Sequence, residues 1–381
     1  MSGSDEGDYR GGGVRAGAPG ANLLAVRGHN TALVLGLLRA AGEAGASRLE
    51  LAERTGLTPQ AVSKITARLR DEGLAAEAGR RASTGGKPRT VLRLIPGARH
   101  AVGVHLDRDE ITCVLADLTG RPVAVRRAPL DLAAGAGPVL AAAAGEVAAL
   151  RTEAGGPPVL GAGVACPGPL DHTAGVLRQV TGAPQWDGFP LRDALADRLG
   201  LPVVLDKDTN AAALGLARAP EEAGGSFAYL HLGTGLGAGL VLGGALHRGP
   251  RTGAGEFGHQ VVQLDGPRCA CGRRGCVEAL CLAAVARGDL PAAARVLGVA
   301  AANLVELLDV DRVLLGGRTV LAHPEEFRGG VARVLDGYAA LRGRPVPAAG
   351  GAPAVPVALA RGGPRTVADG AAELVLAGLF R

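Results

Sequence analysis

Between Gly233 and Glu278 the chain runs through Gly233-Thr-Gly-Leu-Gly-Ala-Gly239, Gly255-Glu-Phe-Gly-His259 and Cys269-Ala-Cys-Gly-Arg-Arg-Gly-Cys-Val-Glu278. Each part of this stretch has a chemical use. Glycine lets a backbone take positive φ and come close to a ligand, so the first part reads as a tight connection between two short strands. Glu256 and His259 stand three apart, which puts both on one face of a helical turn. Three cysteines within eight residues, interleaved with glycine and preceded by His259, supply the nitrogen and sulfur ligands that a tetrahedral zinc prefers. The expected metal set is His259, Cys269, Cys271 and Cys276. Four protein ligands leave no open position, so such a zinc is structural. The plain alternative is a Gly-rich hairpin followed by buried free thiols.

The 381 residues give room for two or three domains. With 47% apolar but only 2% aromatic residues, the core has to be built from Ala, Val and Leu. The net charge of +5 is unevenly placed. Residues 22–95 hold 12 Lys and Arg against 6 Asp and Glu, whereas residues 96–381 hold 27 of each. The basic charge is thus confined to one N-terminal module, the footprint of a nucleic-acid contact. Residues 1–21, polar and Gly-rich, read as a disordered tail with no signal peptide. The most apolar run, 228–246, is broken by His231 and six glycines and suits two strands better than a membrane helix. A reducing, cytoplasmic setting with no membrane partner is expected.

Within the basic module, Leu33, Val34, Leu37 and Leu38 recur at helical spacing. Ser47 and Glu50 form a capping box for a second helix that Gly56 stops. Thr58 caps a third helix, with Pro59 in its first turn. On this third helix Val62, Ile65 and Leu69 form the inward stripe, leaving Gln60, Ser63, Lys64, Ala67 and Arg68 outward. Short strands at 74–77 and 90–94 flank a loop, 79–89, that carries four cations and no anion. Residues 22–95 therefore read as a winged helix-turn-helix. Its candidate DNA-binding residues are Thr58, Gln60, Ser63, Lys64 and Arg68, with Arg80, Arg81, Lys87 and Arg89 in the wing. Taken alone, the third helix reads first as an amphipathic helix with a solvated charged face; the short second helix, tight turn and basic wing beside it turn the reading to DNA.

The 233–278 stretch resembles the signature of the ROK family, which includes sugar kinases and repressors built on the same sugar-kinase domain. The wing's Ser83-Thr-Gly-Gly-Lys-Pro-Arg89 resembles that of the family's repressors. The resemblance implies one structural zinc on the residues named above and a sugar pocket in which Asp208, Glu256, His259 and Glu278 touch the ligand. Asp208 matches the aspartate that takes the sugar proton in the kinases; its position also suits a helix cap. Lys207 stands where the family usually has Asn, a donor only in place of a group that both donates and accepts.

From residue 101 the pattern is α/β. Strands are expected at 102–106, 111–115, 123–127, 159–165, 202–206 and 312–315. Helices are expected at 138–151, 189–199, 291–308, about 325–340 and 366–379, with a helix starting at Asp208. The resemblance implies a duplicated actin-like, sugar kinase-like domain over 96–381, in two halves of about 96–220 and 221–381. The kinases open their first half with Asp-x-Gly-Gly-Thr around the ATP phosphates. Here the matching segment is His105-Leu-Asp-Arg-Asp109, with both glycines gone. Side chains block close backbone approach and carboxylates repel polyphosphate, so no catalytic residue and no phosphotransfer are expected. The expected function is a sugar-responsive repressor that binds operator DNA as a homodimer or homotetramer. The alternative is an active ATP-dependent sugar kinase with an added DNA-binding module.

Overall fold

The head is set by its caps. In the computed structural model, which describes residues 23–83, 86–180, 183–218, 224–343 and 355–380, Ser47 accepts from the Glu50 N–H and the Glu50 side chain accepts from the Ser47 N–H. This closes the start of α2 (Arg48–Thr55) after α1 (Leu23–Ala41) and β1 (Ala46–Ser47), and Gly56 ends it in the left-handed region. Thr58 caps α3 (Pro59–Asp71), and β2 (Ala75–Ser83) and β3 (Gly86–Leu94) follow. β3 lies between β1 and β2 in a three-stranded antiparallel sheet, making a winged helix-turn-helix. Residues 1–21, expected as a tail, lie outside the described residues.

Two features of the head differ from expectation. The interior stripe of α3 is Val62, Thr66 and Leu69, with Ile65 only partly buried. Thr66 is tolerated inside because its hydroxyl donates to the Val62 carbonyl at 2.9 Å and accepts from Arg48. The wing strands run to Ser83 and from Gly86, so most of the basic loop is a paired ribbon rather than an irregular connection.

Two lobes follow, and their sheets repeat one topology. In the first, β4 (His100–Leu106), β5 (Glu110–Asp117) and β6 (Pro122–Pro129) form an antiparallel meander. After α4 (Ala136–Glu153), β7 (Val159–Cys166) pairs parallel to β4. The short β8 (Leu170–Asp171) and β9 (Val176–Leu177) and then α5 (Leu191–Leu199) lead to β10 (Val203–Lys207), parallel to β7. The sheet order is β10-β7-β4-β5-β6. Helix α6 (Asp208–Leu216) then crosses to the second lobe.

There β11 (Phe227–Leu232), β12 (Leu236–Leu242) and β13 (Ala245–Leu246) make the second meander. After α7 (Val277–Ala286) and α8 (Leu290–Leu308), β14 (Arg312–Gly316) pairs parallel to β11. The helices α9 (Arg318–Ala322) and α10 (Pro324–Leu341) precede β15 (Val357–Leu359), which is parallel to β14. The order β13-β12-β11-β14-β15 is that of the first lobe. This is a duplicated actin-like, sugar kinase-like fold. α8 is long and apolar enough to cross a bilayer, but its Ala293, Leu297, Ala301 and Leu304 are buried in the second lobe's core.

The last helix, α11 (Thr366–Leu376), returns to the first lobe and packs on β4, β7 and α6. The approach is close enough to require glycine: a Cβ at Gly103 would lie 2.0 Å from the Ala368 carbonyl oxygen, and one at Gly163 would lie 1.8 Å from that of Ala371. The head docks on the same helix. Val34, Leu35 and Leu38 of α1 share an apolar cluster with Leu118, Ala372 and Leu376. Cys113, Cys166 and Cys281 are buried, as small apolar residues would be.

Candidate functional site

On α3 the side chains of Gln60, Ser63, Lys64, Ala67 and Arg68 are exposed along one face. Thr58 is also exposed, and its hydroxyl accepts the Ala61 N–H at 3.2 Å as the helix cap. Arg68 bonds Thr31 and lies 3.7 Å from Glu72. Arg89 is exposed on β3, whereas the side chains of Arg80, Arg81 and Lys87 lie outside the described residues. The head therefore presents a polar and cationic helix face beside a β-ribbon.

The cysteine loop is folded on itself by isolated bridges between Val261 and Cys276 and between Arg268 and Arg274. The Cys269 N–H also donates to the Arg273 carbonyl at 2.8 Å. His259 ends a short 3-10 turn and Cys276 precedes α7. The loop brings His259, Cys269, Cys271 and Cys276 together, with all four ligand atoms within 4.8 Å of one another. Cys271 and Cys276 Sγ are 3.7 Å apart, as are Cys269 Sγ and His259 Nδ1. Tetrahedral ligands on zinc are separated by about 3.4–3.8 Å, given bonds of roughly 2.0–2.3 Å. The donor set and its spacing thus fit a four-coordinate metal.

Beside this loop, between the lobes, is a cavity of about 80 Å³ whose walls include Lys207, Asp208, Glu256, His259 and Glu278. The four side chains expected at a sugar converge there. Asp208 begins α6, and its carboxylate accepts the Thr209 N–H at 2.6 Å. Burial pushes the Asp208 carboxyl up to about 7, helped by the negative charges of Asp107 and Glu256 and opposed by the Thr209 N–H and Lys207. Glu278 accepts the Leu236 N–H at 2.8 Å and so ties the Gly-rich hairpin to α7. Glu256 is held by a residue the sequence did not pair with it. Lys207, 3% exposed, donates to Glu256 Oε1 at 2.9 Å and to the Ala254 carbonyl at 2.7 Å. Next to it the buried Asp206 accepts from Arg248 at 2.6 Å and from Asn210 at 2.9 Å.

At the other end of the cleft, the turn after β4 carries Asp107, Arg108 and Asp109. Arg318, at the start of α9, donates to Asp107 at 2.7 Å and to Asp109 at 2.6 Å, and Thr234 in the glycine hairpin donates to Asp107 at 2.9 Å. Burial disfavours the charge on Asp107, but His105, the Arg108 N–H, Arg318 and Thr234 together hold its carboxyl below the usual range. Behind it His105 and His231 meet edge to face, 6.4 Å between centroids, and burial lowers the His105 pKa to about 4. The bonds from Arg318, Arg248 and Lys207 each cross from one lobe to the other. Nothing in the local sequence marks them, because the partners lie 209, 42 and 49 residues apart.

Comparison with known proteins agrees with this architecture. Residues 101–288 match the ROK family model, and residues 33–75 match a winged helix-turn-helix DNA-binding model. The chain is 29% identical to the xylose repressor of Caldicellulosiruptor bescii over 235 residues, covering 61% of this chain and 59% of the repressor. It is 35% identical to the kanosamine kinase of Amycolatopsis mediterranei over 217 residues, covering 49% of this chain and 70% of the kinase. The crystal structure of a ROK family transcriptional regulator, a homologue of the E. coli MLC protein, superposes with a TM-score of 0.73 at 22% identity. That match covers 93% of this chain and 97% of the regulator, and shows the shared fold. The chain belongs to the ROK family, with a winged helix-turn-helix joined to a ROK domain.

Proposed function

We propose that this protein is a sugar-responsive transcriptional repressor. The observation that carries the reading is the joining, in one chain, of a winged head with an exposed polar α3 face to a cleft where Asp208, Glu256, His259 and Glu278 converge. The head, about residues 22–95, binds operator DNA. Gln60 and Lys64 reach base edges, while Thr58, Ser63, Arg68 and the wing cations Arg80, Arg81, Lys87 and Arg89 reach phosphate. A homodimer places two heads on two half-sites. The ROK domain, about residues 96–381, takes a sugar or sugar derivative, and the name of the xylose repressor supports a sugar effector. Zinc on His259, Cys269, Cys271 and Cys276 is structural: it fixes the loop that carries His259 into the cavity wall. The protein acts in the cytoplasm.

The kinase reading is opposed by one feature. Asp107 and Asp109 fill the turn that in the kinases surrounds ATP phosphates, and Arg318 and Thr234 hold those carboxylates in place. A polyphosphate would meet two carboxylates and a closed ion pair there. The chain is therefore read as lacking phosphotransfer activity. A thermal-shift panel of D-xylose, D-glucose, N-acetylglucosamine and their phosphates tests the effector, since a ligand of the folded state raises the melting point. ATP consumption with the same sugars tests the alternative. A sugar-dependent shift without turnover is expected; turnover lost in Asp208→Asn would establish the kinase instead.

A further inference from the structure

We propose that α6 and α11 form the element that transmits the state of the cleft to the DNA-binding head, with Glu373 as its output contact; this rests on reading the chain as a ligand-responsive DNA-binding protein. α6 is gripped at both ends. At its start, Asp206 is bound by Arg248 and Lys207 is bound to Glu256, both partners belonging to the second lobe. Asp208, the first residue of the helix, lines the cavity. A change of occupancy in the cavity therefore acts directly on the N-terminus of α6.

The helix has little room to yield. Residues 209–214 and Leu216 are buried. A Cβ at Gly370 of α11 would lie 1.9 Å from the Ala211 carbonyl oxygen, and one at Gly215 would lie 2.8 Å from Gly370 Cα. Backbones in such contact cannot slide independently, because a close-packed interior transmits displacement rather than absorbing it. α6 and α11 thus move as one body. Nine residues span about 14 Å at 1.5 Å per residue, which carries the signal from the cavity to the far side of the domain.

At that far side α11 meets the head through the apolar contacts of Ala372 and Leu376 and, as the polar contact between them, the buried carboxylate of Glu373. Glu373 of α11, 4% exposed, receives both terminal nitrogens of Arg39 at 2.9 and 2.7 Å, and Arg218, just beyond α6, lies 3.3 Å away. Arg39 is the basic residue in the last turn of α1 in the head. It also donates to the Thr119 carbonyl at 3.0 Å and lies over the Phe380 ring at 4.7 Å. One residue of the head is thereby held by α11, by the turn after β5 and by the C-terminal segment. A cavity of about 670 Å³ adjoins the clamp, bordered by Arg39, Arg218, Arg361 and Glu373, so the contact can rearrange without passing through packed core. A bidentate pair of this kind is directional, and a small rotation of Glu373 forces Arg39 to follow or to let go.

The test is hydrogen–deuterium exchange of the full-length, zinc-loaded protein without any sugar. Lys207→Met and Glu256→Gln loosen the start of α6, and Glu373→Gln loosens the output. Each should raise amide exchange in residues 28–41 of α1 and in α11 several-fold. Val139→Ala, in the buried core of the first lobe on α4, serves as a destabilised control and should leave α1 unchanged. If neither Lys207→Met nor Glu256→Gln changes exchange in α1, or if the control changes it equally, the route is wrong whatever the cavity binds. A second arm measures operator affinity with and without D-xylose, D-glucose or N-acetylglucosamine. If no sugar changes it in the wild type, the sugar reading fails, while the exchange result still decides the route. If one does, Glu373→Gln should cut the sugar effect at least fivefold, and an unchanged effect would overturn the proposal.

Discussion

At the level of single residues, the cluster of His259, Cys269, Cys271 and Cys276 was legible in the sequence because its chemistry is local, whereas the cleft carboxylates Asp208, Glu256 and Glu278 were reached through the family resemblance. Cys269, Cys271 and Cys276 fall within eight residues, and three cysteines so placed with an upstream histidine have few other uses. Cys271→Ser should remove the zinc and lower stability by about 2–3 kcal/mol, roughly 5–10 °C in melting temperature for a domain of this size; metal analysis and a thermal melt check both. The state of Asp208 was not legible, since it depends on the walls that surround it. Its carboxyl is raised from the usual 3.8 to about 7, mainly by burial. The folded protein then keeps a proton that the unfolded chain releases, so the contribution of Asp208 to stability is complete below about pH 4 and is lost as pH rises through 7. Denaturant midpoints at pH 5 and pH 8 should therefore differ less in Asp208→Asn than in the wild type. An equal difference in the two proteins would leave Asp208 without this role.

At the level of elements, the sequence identified caps better than strand lengths. Ser47, Glu50, Gly56, Thr58 and Pro59 each act within one turn of their own position, and each sits where its chemistry requires. The wing strands were read too short because Arg, Ser and Gly have weak strand preference, and pairing with β3 overrides it. Helix α7 is absent from the sequence reading because Val277–Ala286, apart from Glu278, is apolar and shows no helical period. Thr66 takes the interior place expected of Ile65, because a threonine that satisfies its hydroxyl on its own helix can be buried as well as an isoleucine. The division of labour within the head gives a prediction. Gln60→Ala and Lys64→Ala should each cost about 1–3 kcal/mol on operator DNA and much less on random DNA, whereas Arg89→Ala should weaken both similarly and reduce the salt slope by about 1. Fluorescence titrations at several salt concentrations separate the two; if all three variants behave alike, base readout does not lie on α3.

At the level of the whole molecule, the strand-turn-strand theme was visible in both halves, while the duplicated sheet order was implied by the family resemblance and includes β15, which the sequence reading did not contain. What joins the parts was not visible. The Arg318, Arg248 and Lys207 pairs across the cleft, and the Arg39–Glu373 pair between head and ROK domain, link residues between 42 and 334 positions apart. An ion pair of that separation leaves no local pattern. These contacts nevertheless join the parts: side chains bridge the two lobes across the cleft, and the head is fixed to α11, which packs against α6. In the proposed reading ligand state and DNA affinity are linked, and by linkage each alters the other by the same factor. The most direct measurement is a titration of the zinc-loaded protein against its operator and against random DNA, with and without the sugar that raises its melting point. The expected result is a salt-sensitive preference for the operator that the sugar weakens at least about tenfold, with random DNA little affected. Equal affinity for operator and random DNA, or an operator affinity that does not change with the sugar, would contradict it.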